Sequence, residues 1–131
     1  MKRVIITAKQ WEALVTELTG FPYSPHVDTR FELVPLEKTL PKWFLKYRPY
    51  VKDEDDCDDR SKYGYCEIHD KNKRTPITFA RGRVIGEGYH EFMIVGGLDS
   101  DGKWVAVYCH RKDKSIDWIN ETDVTKVEDL W

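Results

Sequence analysis

Two hydrophobic patterns divide this chain, and the first is helical. Near the N-terminus apolar side chains recur every three or four residues, at Trp11, Leu14, Val15 and Leu18. That spacing places them on one face of a helix. Thr7 is a favourable N-cap and Gly20 a favourable terminator, because a hydroxyl accepts a bond from a free amide and glycine tolerates left-handed backbone. The pattern predicts a helix over residues 8–19 whose apolar stripe packs on a core.

The second pattern alternates apolar and polar residues over short runs, which is typical of strands. Four runs carry it, at residues 77–85, 90–98, 103–110 and 115–120. The turn-forming run Asp99-Ser100-Asp101-Gly102 separates the second run from the third, so these two predict a hairpin. Alternation gives each face of the third run three residues, Trp104, Ala106 and Tyr108 on one and Val105, Val107 and Cys109 on the other.

The remaining segments are predicted from helix caps and turn residues. Three of them lie early in the chain: a loop at residues 21–29, a short strand at 31–34 and an irregular helical piece at 36–46. A second helix is predicted over residues 56–69, capped by Asp55 or Asp56. A polar connector follows at residues 70–76, and residues 125–131 are predicted to be a C-terminal tail.

The order of these elements predicts the fold class. Helices in the first half followed by antiparallel strands in the second indicate an α+β domain, in which the central helix packs on a small antiparallel sheet. With 131 residues the chain is expected to form a single domain. Its parts would be a helical N-terminal part (1–49), a core of helix and sheet (50–110) and a C-terminal extension (111–131).

Composition narrows the classes of function. The formal net charge is −2, so a nucleic-acid partner is not expected, because nonspecific binding to nucleic acid requires many uncompensated Lys and Arg. The apolar part of the N-terminal segment is too short for a signal peptide, and no run reaches the length that spans a membrane. We therefore expect a cytoplasmic protein without a membrane partner.

The three cysteines, Cys57, Cys66 and Cys109, are expected to be free thiols, since an odd number cannot all pair within one chain. On one helix, Cys57 and Cys66 would lie about 13 Å apart, beyond disulfide reach. Cys57 stands at the start of the second predicted helix, where backbone dipoles favour a thiolate, and His90 starts a strand. The two are a candidate nucleophile and base. The plainer readings are a small buried residue at a helix start and a histidine bonded to backbone.

The residues around both positions resemble the motifs of transglutaminase-like proteins, within the papain-like cysteine protease superfamily. The cysteine motif of that family is similar to the run Asp56-Cys57-Asp58-Asp59-Arg60-Ser61. Its histidine strand is similar to the run from Gly88 to Val95, and the following strand, after a Gly-x-Trp hairpin, is similar to the run from Asp101 to Tyr108. The matched motifs cover residues 50–110. The resemblance implies an α+β fold with the cysteine at the head of the central helix.

For function, the resemblance implies Cys57 as the nucleophile, His90 as the base and Tyr108 at the position that orients the imidazole. The reaction would be hydrolysis or transfer at an amide or isopeptide bond of a peptide or protein substrate, without a cofactor. The family carries a carboxylate where this chain has Tyr108. The alternative is therefore a catalytically inactive member of the same fold that acts as a protein-binding module. Small chains of this kind are often encoded by bacteriophages, which is the expected source.

Two patterns invite a metal ion, and neither predicts one. The acidic run at residues 53–59 suits Ca²⁺ chemically, but the sixth position of an EF-hand loop counted from its start is Asp58 rather than Gly. Cys66 and His69 stand one helical turn apart and could chelate Zn²⁺, yet no Cys-x-x-Cys pair accompanies them. No metal is expected.

Overall fold

Helices and antiparallel strands follow one another along the chain as an α+β domain requires. The structure is a computed structural model that describes residues 3–24, 29–39, 57–86, 88–112, 115–118 and 122–128. The elements in chain order are β1 (Val4–Thr7), α1 (Ala8–Thr19), β2 (Arg30–Leu33), α2 (Leu36–Thr39), α3 (Cys57–Lys71), β3 (Ile77–Val84), β4 (Gly88–Leu98), β5 (Trp104–Lys112), β6 (Ser115–Trp118) and β7 (Thr122–Glu128). The predicted α+β class is confirmed.

Helix α1 has the predicted bounds and the predicted caps. The hydroxyl of Thr7 accepts a bond from the amide of Gln10 at 3.2 Å, and the Gln10 side chain accepts one from the amide of Thr7 at 2.8 Å. At the other end Gly20 adopts a left-handed backbone with φ of 77°, and its amide donates to the Thr16 carbonyl. These bonds satisfy backbone groups that a helix end leaves without partners.

Replacing Thr7 by alanine is expected to lower the free energy of unfolding by about 1 kcal/mol, because the change leaves the Gln10 amide without its acceptor. Urea unfolding followed by circular dichroism measures the effect. Thr16→Ala is the matched control, since Thr16 is exposed on the same helix and takes part in the C-cap only through its backbone carbonyl, which alanine retains. Equal destabilisation by both variants would contradict the capping account.

The main sheet has five strands in the order β6-β5-β4-β3-β7, and every neighbouring pair of strands is antiparallel. The predicted hairpin joins β4 to β5. In its turn the Asp99 carboxylate accepts bonds from the amides of Asp101 and Lys103, both at 2.9 Å, and Gly102 takes a φ of 78°. A second, two-stranded sheet pairs β1 with β2. The sequence predicted β2 and did not predict β1.

The prediction of a C-terminal tail is wrong, because residues 122–128 form β7 on the outer edge of β3. Val124 lies opposite Gly82 and Val127 opposite Ala80, with a shift of register between them. The shift brings two valines that are three residues apart onto the same face, where both pack on the core. Simple alternation therefore fails here, and the strand reads as polar in the sequence.

Side chains that alternate along β4 divide the core between the two faces of the main sheet. The α1 face carries Phe92, Ile94 and Tyr108, packed against Ile6, Trp11, Val15 and Phe31 of α1 and the small sheet. The α3 face carries Met93, Val95 and Cys109, packed against Ile68 of α3 and Leu36 of α2. The faces predicted for β5 are confirmed. The domain thus has three layers, with the main sheet in the middle.

Several predictions concern residues that the structure does not describe. The helical piece predicted at residues 36–46 begins as α2, and its continuation lies outside the described residues. The same holds for the proposed caps Asp55 and Asp56 and for the acidic run that precedes α3. Within the described part of the chain, no helix is long and apolar enough to cross a membrane.

Candidate functional site

The candidate nucleophile lies at the first residue of α3. The sequence predicted this helix over residues 56–69, and the observed bounds are Cys57–Lys71. The helix is fixed to the α3 face of the sheet by Ile68, which is fully buried, and by Tyr65, whose ring lies 5.5 Å from that of Phe79. Cys57 itself is half-buried at the end of the helix next to β4.

The first turn of α3 supplies hydrogen-bond partners to β4 where its pairing with β5 has ended. That pairing ends at Met93 and Cys109, although β5 continues to Lys112 with β6 on its other side. At Glu91 the strand is served by the helix instead: its amide donates to the Cys57 sulfur at 3.5 Å, and its carbonyl accepts from the Ser61 hydroxyl at 3.1 Å. Cys57 and Ser61 are four residues apart and share one side of the helix, so one helical turn satisfies both backbone groups of Glu91.

The sulfur of Cys57 therefore lies next to the peptide that joins His90 to Glu91. The Glu91 nitrogen is two bonds from the His90 Cα, or about 2.4 Å. With the 3.5 Å contact, the sulfur is within about 6 Å of that Cα. An N–H aimed at sulfur is also a favourable partner for negative charge on that atom.

His90 leaves β4 on the α1 face, because it lies two residues before Phe92. Its ring stands edge-on to that of His110, with 6.4 Å between the ring centres. His110 follows Tyr108 by two residues and so shares this face. The Cys57 sulfur contacts an amide that points along the sheet, beyond the end of β4–β5 pairing. The sulfur thus lies beside the strand, in the plane of the sheet, rather than on either face.

Tyr108 is far from His90 along the sheet. It stands opposite Ile94, four residues from His90 on β4, a separation of about 13 Å. Its hydroxyl donates to the Leu18 carbonyl of α1 at 3.1 Å, and its ring packs edge-on against Phe92. Burial raises the pKa of this hydroxyl. The structure ties Tyr108 to α1, whereas His110 is the β5 residue that it brings to His90.

Tyr108→Phe is expected to cost about 1 kcal/mol of unfolding free energy, because the Leu18 carbonyl loses its donor. The same variant should leave the alkylation rate of Cys57 unchanged, because the hydroxyl donates to the Leu18 carbonyl of α1. Urea unfolding and mass spectrometry of alkylated protein measure the two effects. A slower reaction of Cys57 in the folded variant would restore Tyr108 to the orienting role.

Three residues beside Cys57 or His90 were given no role in the sequence analysis. Glu91 is buried on the α3 face, and its carboxylate accepts from Arg81 at 3.4 Å. Ser61 holds the Glu91 carbonyl, and His110 contacts His90. The sequence carried a signal for two of them: Ser61 is one helical turn after Cys57, and His110 is on the same face of β5 as Tyr108. A buried Glu on a strand has no comparable signal.

The other two thiols have different surroundings. Cys109 is fully buried, which raises the pKa of its thiol, and Cys66 is exposed on α3. The suggested zinc partner of Cys66 is His69, but that imidazole lies 3.1 Å from the Thr75 carbonyl and stacks on Tyr65. Over the described residues, no three His, Cys, Asp or Glu side chains are grouped so that they could hold a metal ion.

The geometry defines a class of site: a half-buried thiol at a helix start, held against the strand that carries His90, in an α+β domain. Comparison of this chain with protein-family models, curated proteins and solved structures finds no match. The resemblance to transglutaminase-like proteins therefore depends on the motifs around Cys57 and His90 alone, and membership of that family stays a prediction.

Proposed function

We propose that this protein is a cysteine hydrolase or transferase for amide or isopeptide bonds, with Cys57 as nucleophile and His90 as base. The observation that carries the proposal is the 3.5 Å contact between the Cys57 sulfur and the Glu91 amide. Because Glu91 follows His90 directly, this contact brings Cys57 close to His90, which is 33 positions away in the sequence. A thiol and an imidazole that can share a proton are the minimum for nucleophilic catalysis by cysteine.

The short distance between the two residues supports this pairing. The Cα of His90 is within about 6 Å of the Cys57 sulfur. The second imidazole, on His110, lies edge-on to the first. It is therefore better placed than Tyr108 to orient the base.

The proposed reaction begins when the Cys57 sulfur attacks the substrate carbonyl carbon and His90 takes the thiol proton. The tetrahedral intermediate collapses, the C–N bond breaks, and the imidazolium returns the proton to the departing amine. A thioester then joins the acyl group to Cys57. In hydrolysis, a water molecule gives its proton to His90 and attacks the thioester, which releases the acid and the thiol. In transfer, a second amine replaces the water. The partner is accordingly a peptide or protein.

A second candidate function is a protein-binding module built on the same fold without turnover. One observation favours it: both the Cys57 sulfur and the Tyr108 hydroxyl make contacts that stabilise the fold, with the Glu91 amide and the Leu18 carbonyl. A cysteine that accepts a backbone bond has a structural reason to be present. In this case the two motifs would preserve an architecture rather than a reaction.

Turnover of an activated acyl donor separates the two candidates. We expect a p-nitrophenyl ester of a capped dipeptide to release more than one equivalent of nitrophenol per chain, with an acyl group found on Cys57 by mass spectrometry. Cys57→Ala should abolish this release, and Cys66→Ala, which removes the exposed thiol, should retain it. Release that stops at one equivalent, or that persists in Cys57→Ala, would contradict the enzyme and favour the binding module.

A further inference from the structure

The first turn of α3 is attached to the sheet by polar groups rather than by apolar packing. The buried apolar residue that fixes this helix, Ile68, lies eleven residues after Cys57, or about 16 Å along the helix axis. The four residues that follow Cys57, Asp58-Asp59-Arg60-Ser61, are all polar. Helix ends fray unless something holds them. The position of the Cys57 sulfur therefore depends on the hydrogen bonds that this turn makes to β4.

Ser61 makes the stronger of the two bonds between this turn and the strand. The residue is buried, with 1% of its surface accessible, and its hydroxyl donates to the Glu91 carbonyl at 3.1 Å. The Cys57 sulfur accepts from the amide of the same residue at 3.5 Å. A hydroxyl is a good donor, whereas a cysteine sulfur is a weak acceptor. The Ser61 bond therefore sets the position of the turn on the strand, and the Cys57 sulfur follows it.

Glu91 is held firmly on the strand side of this contact. It lies opposite Arg81 in the pairing of β4 with β3, and its carboxylate accepts from the Arg81 guanidinium at 3.4 Å. The residue is also buried, with 5% of its surface accessible. A shift of the helix turn would therefore change the contact between the Cys57 sulfur and the Glu91 amide, because the strand is fixed to β3 and does not move with the helix.

We propose that Ser61 is a positioning residue for Cys57: its bond to the Glu91 carbonyl keeps the Glu91 N–H directed at the sulfur, where that N–H stabilises the thiolate. A hydrogen bond to an ionised acceptor is roughly twice as strong as one to a neutral acceptor, so the thiolate gains more from the contact than the thiol does. Ser61 acts through the Glu91 peptide and touches no reacting atom. The inference rests on the proposed function, which makes the Cys57 thiolate the nucleophile.

Ser61→Ala is expected to slow the alkylation of Cys57 by iodoacetamide about fivefold at neutral pH and to move its curve of rate against pH to higher pH, because the thiolate loses a directed N–H. Ser61→Thr keeps a hydroxyl and should retain most of the rate. Tyr108→Phe is the matched control, since it also removes one hydroxyl bond to a backbone carbonyl and should change neither quantity. Mass spectrometry measures the exposed Cys66 in the same samples, and its rate should stay constant.

Failure of this inference can be distinguished from failure of the proposed function by a measurement that needs no reactive thiol. In Ser61→Ala the Glu91 amide should exchange its hydrogen about ten times faster than in the wild type, while the Gly96 amide, bonded to the Pro76 carbonyl, should be unchanged. Nuclear magnetic resonance follows both amides. An unchanged Glu91 amide, or an unchanged curve for Cys57 in the folded variant, would overturn the positioning role. A wild-type Cys57 no faster than the exposed thiol would contradict the nucleophile instead, and the exchange rates would still decide the role of Ser61.

Discussion

Replacing His90 by alanine is expected to slow the reaction of Cys57 with iodoacetamide by at least tenfold at neutral pH. The thiol must lose its proton to react, and in the proposed site His90 is the group that accepts it. In the wild type we expect Cys57 to react faster than Cys66, although Cys57 is half-buried and Cys66 exposed. Mass spectrometry of peptides from timed reactions measures each rate separately.

The remaining thiols and histidines supply the controls for this experiment. Cys109 should stay unmodified in the folded protein, because it is fully buried and burial raises the pKa of its thiol. His69 lies on α3 and its imidazole bonds the Thr75 carbonyl, so His69→Ala should leave the alkylation rate of Cys57 unchanged. If Cys57 and Cys66 react alike in the wild type, the nucleophile assignment fails and the protein-binding module is the better account.

Much of the fold could be predicted because its signals are local. The α1 caps involve residues three or four positions apart, and the β4–β5 turn is contained within Asp99 to Lys103. Short-range hydrogen bonds of this kind can be predicted from a few neighbouring residues. The faces of β5 followed from alternation for the same reason.

Strand β7 could not be predicted from its own sequence. Only Val124 and Val127 pack on the core, and they are three residues apart, a spacing that does not indicate a strand. The spacing becomes regular only after the shift of register opposite Arg81 and Gly82. That shift belongs to the pairing of two strands some forty residues apart, so neither segment alone reveals it.

In the candidate site, too, the local features could be predicted and the contacts between distant residues could not. The sequence identified Cys57 at a helix start and His90 on a strand, both of which are local features. The choice of Tyr108 as their partner depended on register. The hairpin sets Trp104 opposite Leu98 and so Tyr108 opposite Ile94, about 13 Å from His90. Counting outward from the turn would place His110 opposite Phe92, two residues from His90 and so nearer to it than Tyr108 is.

The contact of Cys57 with Glu91 could not be read from the sequence at all. Pairing of β4 with β5 ends at Cys109, and α3 supplies the partners of the Glu91 amide and carbonyl. Buried backbone groups require partners. The contact therefore depends on where a strand pairing ends, which the residues around Cys57 do not show.

Trp11→Ala is expected to lower the free energy of unfolding by about 3–5 kcal/mol, the usual cost of truncating a buried Trp or Phe. Trp11 is fully buried at the centre of the α1 face. Its ring lies 6.5 Å from that of Tyr23 and 6.4 Å from that of Phe31, and it covers Gly96 of β4. Alanine would leave a cavity among all three. Urea unfolding followed by circular dichroism measures the loss.

Trp11→Phe is the matched control, and it should cost less than Trp11→Ala because one large ring is kept and the cavity is smaller. The indole N–H has no hydrogen-bond partner among the described residues, so its removal leaves no acceptor unsatisfied there. Equal losses for alanine and phenylalanine would contradict a packing role. Gly96 is six residues from His90 along β4, or about 20 Å. In folded Trp11→Ala, Cys57 should therefore be alkylated at the wild-type rate. This result would show that packing on the α1 face affects stability and not the reactivity of Cys57.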